Sequence, residues 1–200
     1  MEKEVGEEIE ETNFVIQGEC ISYENAYRLN TFETIDVFPM MEIIASVLAK
    51  ILIETDKISD HLVTSFSAKS VPGISIKDYL FRIAKCSKCS SESVILALIY
   101  IDRLTERHNK FMIKSINIHR YMGSFFSNFR LLITGIMLAA KFFDDQFYNN
   151  EYFAKVGGIS NIEMNLLEIE FLNLINFTLY VDPNIFFKYR QQLLAQAKTL

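Results

Sequence analysis

The sequence predicts an all-α protein, and three features support that fold class. Apolar residues recur at i, i+3 and i+4 over several stretches of ten or more residues, which is the spacing of one face of a helix. Four of these stretches follow a residue that commonly caps a helix N-terminus, namely Ser75, Ser90, Ser160 and Asp182. No stretch alternates apolar and polar residues between turn pairs, so no strand is predicted.

The size and hydrophobicity of the chain are those of one ordinary globular domain. Half of its 200 residues are hydrophobic, and a chain of this size buries about 70 % of the surface that it exposes when unfolded. The longest nearly uncharged apolar stretches, 94–101 and 131–140, are much shorter than the ~20 residues needed to cross a bilayer. Residues 1–11 lack the basic start and apolar run of a secretory signal. We therefore expect an intracellular protein of the cytoplasm or nucleus, without a membrane partner.

Charge and cysteine content argue against several classes of function. A formal net charge of −5 does not suit a broad nucleic-acid surface, which needs clustered Lys and Arg. The three cysteines are an odd number, and the close pair Cys86 and Cys89 has neither a second C-x-x-C nor histidines at ligand spacing. No glycine-rich phosphate loop or nucleophile elbow is present. We expect no cofactor, no metal ion, no direct nucleic-acid partner, no small-molecule substrate and no enzyme activity.

The first third of the chain predicts a tail, a helix and a loop. Residues 1–12 contain six Glu and one Lys with almost nothing apolar, so we expect an acidic, mobile N-terminal segment over 1–31. An N-terminal helix and a connecting loop are predicted over 32–74. The loop ends at Pro72 and Gly73, and the helix begins near Pro39. The predicted apolar stripe of that helix comprises Met41, Ile44, Val47, Leu48 and Ile51.

Three helices are predicted between residues 75 and 143. Ser75 should cap a helix over 76–87, with Asp78 favourably placed near its positive end. The next helix starts at the serines 90–91 and is apolar nearly all round from 94 to 101. The third, ending near 143, contains small residues at Gly135, Ala139 and Ala140 that let a neighbour approach closely. Two helices that are apolar all round predict a central pair wrapped by the others.

Glycine and capping signals mark the remaining helices. A short helix over 149–156 should stop at Gly157 and Gly158, one of them in a left-handed conformation. Ser160 with Glu163 forms a capping box, and Asp182 before a proline predicts the start of a final helix. The helix after Ser160 carries one apolar face, formed by Met164, Leu167, Phe171, Leu174 and Ile175.

Four stretches of the sequence resemble the cyclin box. They are YLFRIAKCS at 79–87, YIDR at 100–103, RLLITGIMLAAKFFDDQFYNNEYFAKVGGIS at 130–160 and MNLLEIEFLNLINFTLYV at 164–181. The resemblance is closest to the P/U-type cyclins, a group that includes the phosphate-signalling cyclins of fungi. It implies a single five-helix cyclin box over 75–181, with the third helix central. An extra N-terminal helix and a C-terminal helix over 182–200 complete the implied fold.

The resemblance also implies a function and a set of site residues. It implies a regulatory subunit that binds and activates a cyclin-dependent protein kinase, in cell-cycle control or nutrient (phosphate) signalling. In that family one face of the third and fifth helices contacts the kinase. The motif A-A-K-[FY] places the family's lysine at Lys141, and the motif E-x-x-x-L places its glutamate at Glu170. The apolar positions that flank this pair match Leu138, Phe142, Leu179 and Val181.

Arg82 and Asp102 lie in strongly apolar helices and resemble an arginine and an aspartate that pair between the first two helices of the box. We expect a structural ion pair, because a buried charge has to be compensated. The adjacent acids Asp144 and Asp145 have no partner at metal-ligand spacing, so a solvated helix end is expected there.

Two alternatives remain beside the kinase hypothesis. Lys141 could be a side chain that extends from a core helix to water, and Glu170 a solvated helix position. The whole chain could be a cyclin-fold scaffold or adaptor without a kinase partner. The sequence also departs from the family pattern by about ten extra residues between Asp102 and Arg130. We expect an inserted surface element near 108–127.

Overall fold

The computed structural model describes residues 14–16, 19–21, 36–55, 57, 66, 74–108 and 130–197. The chain divides into two units, Met1–Thr34 and Ile35–Leu200. The predicted insertion near 108–127 lies outside the described residues apart from His108. So does most of the 1–31 segment and of the loop between the first two helices.

The first unit contains a short antiparallel hairpin. Strand β1, Phe14–Ile16, pairs with β2, Glu19–Ile21, and Ile16 stands opposite Glu19. This hairpin departs from the expectation that the chain holds no strands. Its physical basis is a run of β-favouring residues, Phe-Val-Ile, in the first strand. Strands of three residues are too short to produce a visible alternation of apolar and polar residues.

The second unit is all-α, as predicted. Within its described residues it contains seven helices: α1 Val37–Thr55, α2 Ile76–Ser87, α3 Ser91–Arg107, α4 Arg130–Phe143, α5 Asn150–Gly157, α6 Asn161–Leu174 and α7 Pro183–Ala197. Helices α2 to α6 correspond to the five predicted box helices, and α1 and α7 are the two additional ones. No helix of the described residues combines the length and apolar character that a membrane span requires.

Helix α4 lies at the centre of this bundle. All ten residues from Leu131 to Ala140 are buried, and the helix contacts α3, α5 and α6. Gly135 lies at the contact with α3, where an added Cβ would be in ordinary van der Waals contact, 3.6 Å from the backbone oxygen of Ala97 and from the ring of Phe171. The predicted central pair is therefore α3 and α4, with the other helices packed around them.

Helices α1 and α7 cover the other side of α3. Helix α2 packs on α1 and contacts α5. The buried face of α1 is rotated slightly from the predicted stripe. Val47 and Ile51 are only half-buried, whereas Met40 and Leu52 are buried. Buried positions extend beyond one stripe because α1 packs on three helices, α2, α3 and α7.

The helix starts follow the capping signals. The side chains of Ser75, Ser90 and Ser160 each accept a hydrogen bond from a backbone N–H three residues later. Gly158 ends α5 at φ 71°, the left-handed conformation that the glycine pair predicted. The carboxylate of Asp144 is half-buried and accepts hydrogen bonds from the hydroxyls at the start of α3. A solvated end is therefore correct only for its neighbour Asp145.

Candidate functional site

The end of α4 and the middle of α6 meet through an ion pair. Lys141 lies one residue beyond the buried stretch of α4, and its Nζ is 2.7 Å from Oε1 of Glu168 on α6. Their side chains are 26 % and 19 % exposed, so both charges are largely withdrawn from water yet accessible at one edge. Withdrawal of charges from water strengthens their attraction compared with a fully solvated pair.

Two asparagines complete this polar cluster. Asn150, the first residue of α5, accepts a hydrogen bond from Lys141 through Oδ1. Its Nδ2 donates to Oε2 of Glu168 at 2.6 Å and to Oδ1 of Asn165 at 2.7 Å. We call Lys141, Asn150, Asn165 and Glu168 the polar cluster. It joins the three helices α4, α5 and α6 at one point of the surface.

An exposed apolar stripe runs along α6 beside the polar cluster. Ile162, Leu166 and Ile169 are 75 %, 61 % and 56 % exposed and are spaced i, i+4 and i+7, so they lie on one side of the helix. We call these three residues the outer stripe. The opposite side of α6 carries Met164 and Phe171, which are fully buried. A helix with apolar residues on both its core side and its solvent side indicates a binding surface for another molecule.

Further exposed aromatic residues follow the polar cluster along the chain. Phe142 and Phe143 end α4 and are about half exposed, as is Phe147 before α5. Large exposed apolar side chains near a partly buried ion pair match the composition of protein interfaces, in which aromatic anchors surround a few oriented charges.

The turn that follows α6 has an unusual backbone. Asn176 and Phe177 both have positive φ, 52° and 54°. A bulky residue rarely adopts this conformation, and surrounding contacts have to hold it in place. The N–H of Phe177 donates to the carbonyl of Leu172 at 2.8 Å, which closes the end of the helix, and the Phe177 ring is exposed.

Helix α3 supplies the contacts that hold this turn. Arg103 donates to the carbonyls of Thr178 and Tyr180 at 2.8 and 2.9 Å, and Arg107 donates to the carbonyl of Ile175 at 2.8 Å. The hydrogen bond from Arg107 satisfies a carbonyl at the C-terminal end of α6, where positive charge is favourable. Those from Arg103 hold the segment beyond the helix. The segment 175–181 is thus fixed to the core rather than free to move away from it.

Comparison with known proteins identifies the family. The family model described as Cyclin matches residues 44–179. The chain belongs to the cyclin family. It is 47 % identical to Cyclin-U4-1 of Arabidopsis thaliana over 127 residues, which are 64 % of this chain and 58 % of that protein. It is 42 % identical to Cyclin-P3-1 of Oryza sativa subsp. japonica over 142 residues, 71 % of this chain and 55 % of that protein.

A third relative, Cyclin-U4-3 of Arabidopsis thaliana, is 41 % identical over 159 residues, which cover 76 % of this chain and 68 % of that protein. The chain thus spans little more than half the length of most of these relatives. The resemblance to plant U-type and P-type cyclins that the sequence indicated is confirmed. The matched range includes the polar cluster and the outer stripe.

The predicted partner of Lys141 needs a correction. Its carboxylate partner in this cyclin is Glu168, two residues before the predicted Glu170. The motif E-x-x-x-L fits both glutamates, because Leu172 follows Glu168 by four residues and Leu174 follows Glu170 by four. Residues two apart on a helix point in directions about 200° apart. Glu170 is half-buried and does not share the direction of Glu168.

The four predicted apolar residues differ in their exposure. Phe142 is half exposed and accessible. Leu138 is buried in the core, with 3 % of its surface exposed. Leu179 and Val181 are half-buried and pack against the core next to the turn that Arg103 holds.

The predicted ion pair between Arg82 and Asp102 is replaced by two separate contacts. Arg82 donates to the carbonyl of Lys155 on α5 at 3.4 Å. Asp102 accepts a hydrogen bond from the hydroxyl of Tyr189 on α7 at 2.6 Å. Both residues are half-buried, and each side chain turns toward a different neighbouring helix. Asp102 and Tyr189 also line a groove of about 490 Å³ between α1, α3 and α7.

The thiols of Cys86 and Cys89 are at least half-buried and are not paired in a disulfide. Cys89 is buried, and burial raises the pKa of its thiol to about 11, so it stays protonated near neutral pH. Cys86 is half-buried, and neither forms a disulfide. Among the described residues no three His, Cys, Asp or Glu side chains lie close enough together to hold a metal ion.

Several site residues were missed at the level of sequence. The outer stripe has a helical spacing of its own, and counting a second apolar face on the 161–174 segment would have found it. Asn150 and Asn165 carry no such signal, because a solvated asparagine and one that binds an ion pair look the same in a sequence.

Proposed function

We propose that this chain is a regulatory subunit that binds and activates a cyclin-dependent protein kinase through the polar cluster and the outer stripe. The observation that carries the proposal is the position of a half-buried Lys141–Glu168 pair next to exposed apolar residues of α6. Such a surface is what a protein partner requires: apolar area to bury and charges to fix its orientation.

The outer stripe supplies the apolar part of the proposed interface. Burial of a side chain such as Leu166 or Ile169 contributes about 1.5–3 kcal/mol when it is complete. A few central apolar anchors commonly dominate the affinity of an interface. Phe142 and Phe177, both exposed, extend the apolar surface toward the ends of α4 and α6.

The polar cluster supplies orientation. Lys141 and Glu168 already compensate each other, so a partner does not have to neutralise an isolated buried charge. Their remaining hydrogen-bonding capacity, at the exposed edge, suits backbone or side-chain groups of one partner helix. A mismatched partner would leave these groups desolvated and unsatisfied, which makes the contact selective.

Activation follows from binding one kinase conformation better than another. A protein kinase is active only when its β3 lysine pairs with the glutamate of helix αC, and the position of αC controls that pair. A rigid surface that binds the inward position of αC shifts the population toward activity. A shift from 1:99 to 99:1 requires about 5.5 kcal/mol of differential affinity, which a protein interface of standard size can supply.

We also propose that the chain acts in nutrient (phosphate) signalling or cell-cycle control, in the cytoplasm or nucleus. Its membership of the cyclin family supports a signalling role. In this proposal the chain has no catalytic residue of its own. The kinase performs the phosphoryl transfer.

A binding and activation assay with matched variants tests the proposal. The purified chain is titrated against a panel of recombinant cyclin-dependent kinases from the source organism, with calorimetric affinity and phosphorylation of a peptide as readouts. The combined variant Lys141→Ala and Glu168→Ala should lower the affinity for the activated kinase at least about tenfold, since truncating buried charged contacts commonly costs 2–5 kcal/mol. Circular dichroism checks that the variant is folded.

An exposed ion pair on α5 provides the matched control. Lys155 and Glu151 pair at 2.8 Å and are 72 % and 58 % exposed, so Lys155→Ala with Glu151→Ala removes one positive and one negative charge from a solvent-exposed pair. This control should bind and activate like the parent chain. Failure of the parent to bind any kinase of the panel contradicts the proposal. That failure would support instead the cyclin-fold adaptor without a kinase partner, whereas binding without activation would contradict the activating role.

A further inference from the structure

We infer that Asn150 is a positioning residue that holds Lys141 and Glu168 in the geometry that the kinase recognises. This inference rests on the proposed function. It gives a role to α5, a helix of the polar cluster that contains none of the kinase-contact residues predicted from the sequence. Asn150 does not need to touch the kinase for this role, because it acts through the two charged side chains.

The side-chain amide of Asn150 has the chemistry that both charged groups require. Lys141 can only donate hydrogen bonds and an ionised Glu168 can only accept them. A side chain that contacts both must offer an acceptor to one and a donor to the other. Asn150 does so, with Oδ1 toward Lys141 and Nδ2 toward Glu168. A serine is too short to reach both groups, and an aspartate has no donor for Glu168.

The amide of Asn150 also connects three helices. Its Nδ2 also donates to Asn165, one turn before Glu168 on α6. The distance between Lys141 and Glu168 therefore depends on the start of α5 as well as on the packing of α4 against α6. Lysine and glutamate side chains have several rotatable bonds, and fixing them in advance reduces the entropy that binding has to remove.

The positioning role of Asn150 is separate from the capping of α5. The N-cap of α5 is Asn149, whose Oδ1 accepts the hydrogen bond from the N–H of Tyr152 at 3.0 Å. Asn150 is the first helical residue, and its side chain contacts the polar cluster instead of the helix backbone. The two neighbouring asparagines thus divide capping and positioning between them, which supplies a matched pair of variants.

The experiment compares Asn150→Ala, Asn150→Asp and Asn149→Ala in the full chain. The kinase of the panel that the parent chain activates most is the probe, with calorimetric affinity and thermal unfolding as readouts. Asn150→Ala should weaken binding about tenfold, as expected for the loss of hydrogen bonds to charged groups. Asn150→Asp should also weaken it, because it places a second negative charge beside Glu168. Asn149→Ala should lower the unfolding temperature and leave the affinity unchanged.

A double-mutant cycle between Asn150 and Lys141 provides the decisive readout. If Asn150 acts through Lys141, then Asn150→Ala weakens binding in the parent and has little further effect on Lys141→Ala. Equal losses in both backgrounds would overturn the inference, as would parent-like binding by Asn150→Ala. In both cases the proposed function would survive. A parent chain that binds no kinase overturns the proposed function itself.

Discussion

Helices α4 and α6 have similar lengths and similar apolar content, but they use their apolar residues differently. Every residue of α4 from Leu131 to Ala140 is buried. Helix α6 buries Met164, Leu167 and Phe171 on one side and exposes the outer stripe on the other. The difference teaches that apolar residues all round a helix do not always indicate burial on all sides. In α6 the second apolar face is available to a partner.

The largest expected effect is on the core side of α6. Phe171 is fully buried, and its ring meets Phe66 edge to face at a centroid distance of 5.8 Å. Phe171→Ala should reduce the free energy of unfolding by about 3–5 kcal/mol through lost contacts and a cavity. Urea unfolding measures the change. The matched variant Ile169→Ala, on the outer stripe, should change it by less than about 0.5 kcal/mol. Similar losses of unfolding free energy for both variants would show that the two faces of α6 contribute equally to the core.

A smaller effect is expected at the turn after α6. Arg103→Ala removes two hydrogen bonds from a charged donor to the carbonyls of Thr178 and Tyr180. We expect a loss of about 1.5–3 kcal/mol in unfolding free energy, because those bonds involve a charged group in a half-buried place. The control is Lys85→Ala, which removes an exposed positive charge from α2. A parent-like stability of the Arg103 variant would mean that the turn is held by its own backbone hydrogen bonds.

The smallest expected effect concerns Asp102, a half-buried acid on α3. Burial raises the pKa of Asp102, more than the hydrogen bond from Tyr189 lowers it, and Glu106 raises it further. A raised pKa in the folded state means that folding favours the protonated acid. Stability should therefore fall as the pH rises from the ordinary value of about 3.9 through the folded-state pKa.

Asp102→Asn keeps an acceptor for Tyr189 and cannot ionise, so it should escape this loss. Its unfolding free energy should increase relative to that of the parent as the pH rises from about 4 to about 7. Urea titrations at several pH values test the sign. If the unfolding free energy of the parent instead increased relative to that of the variant as the pH rises, a cation would have to compensate Asp102, as Lys141 compensates Glu168.

Much of the fold could be predicted because it depends on local signals. Ser75, Ser90 and Ser160 each cap the helix that follows them, and Gly158 has the left-handed conformation expected after α5. These features depend on residues within a few positions of each other, and the five-helix box followed from a long family motif. The hairpin at 14–21 was missed because strands of three residues produce no periodic signal.

The candidate site could be predicted only in part, because it depends on which way side chains point between helices. Lys141 was located from its motif, but its partner was placed at Glu170 because two overlapping registers fit the same pattern. Arg82 and Asp102 were paired because they resemble a pair in the family and lie in apolar surroundings. In the fold their side chains reach α5 and α7, respectively. The packing angles between helices determine which side chains meet, and these angles cannot be read from a single sequence.

The most direct test of the central claim is the affinity of an outer-stripe variant for its kinase. Leu166→Ser with Ile169→Ser should bind the kinase of the panel that the parent activates at least about tenfold more weakly, because buried apolar anchors dominate interface affinity. Its unfolding free energy should stay within about 1 kcal/mol of the parent, since both side chains are exposed. The control Ile53→Ser alters an equally exposed residue on α1 and should bind like the parent. A folded stripe variant with parent-like affinity and activation would contradict the account.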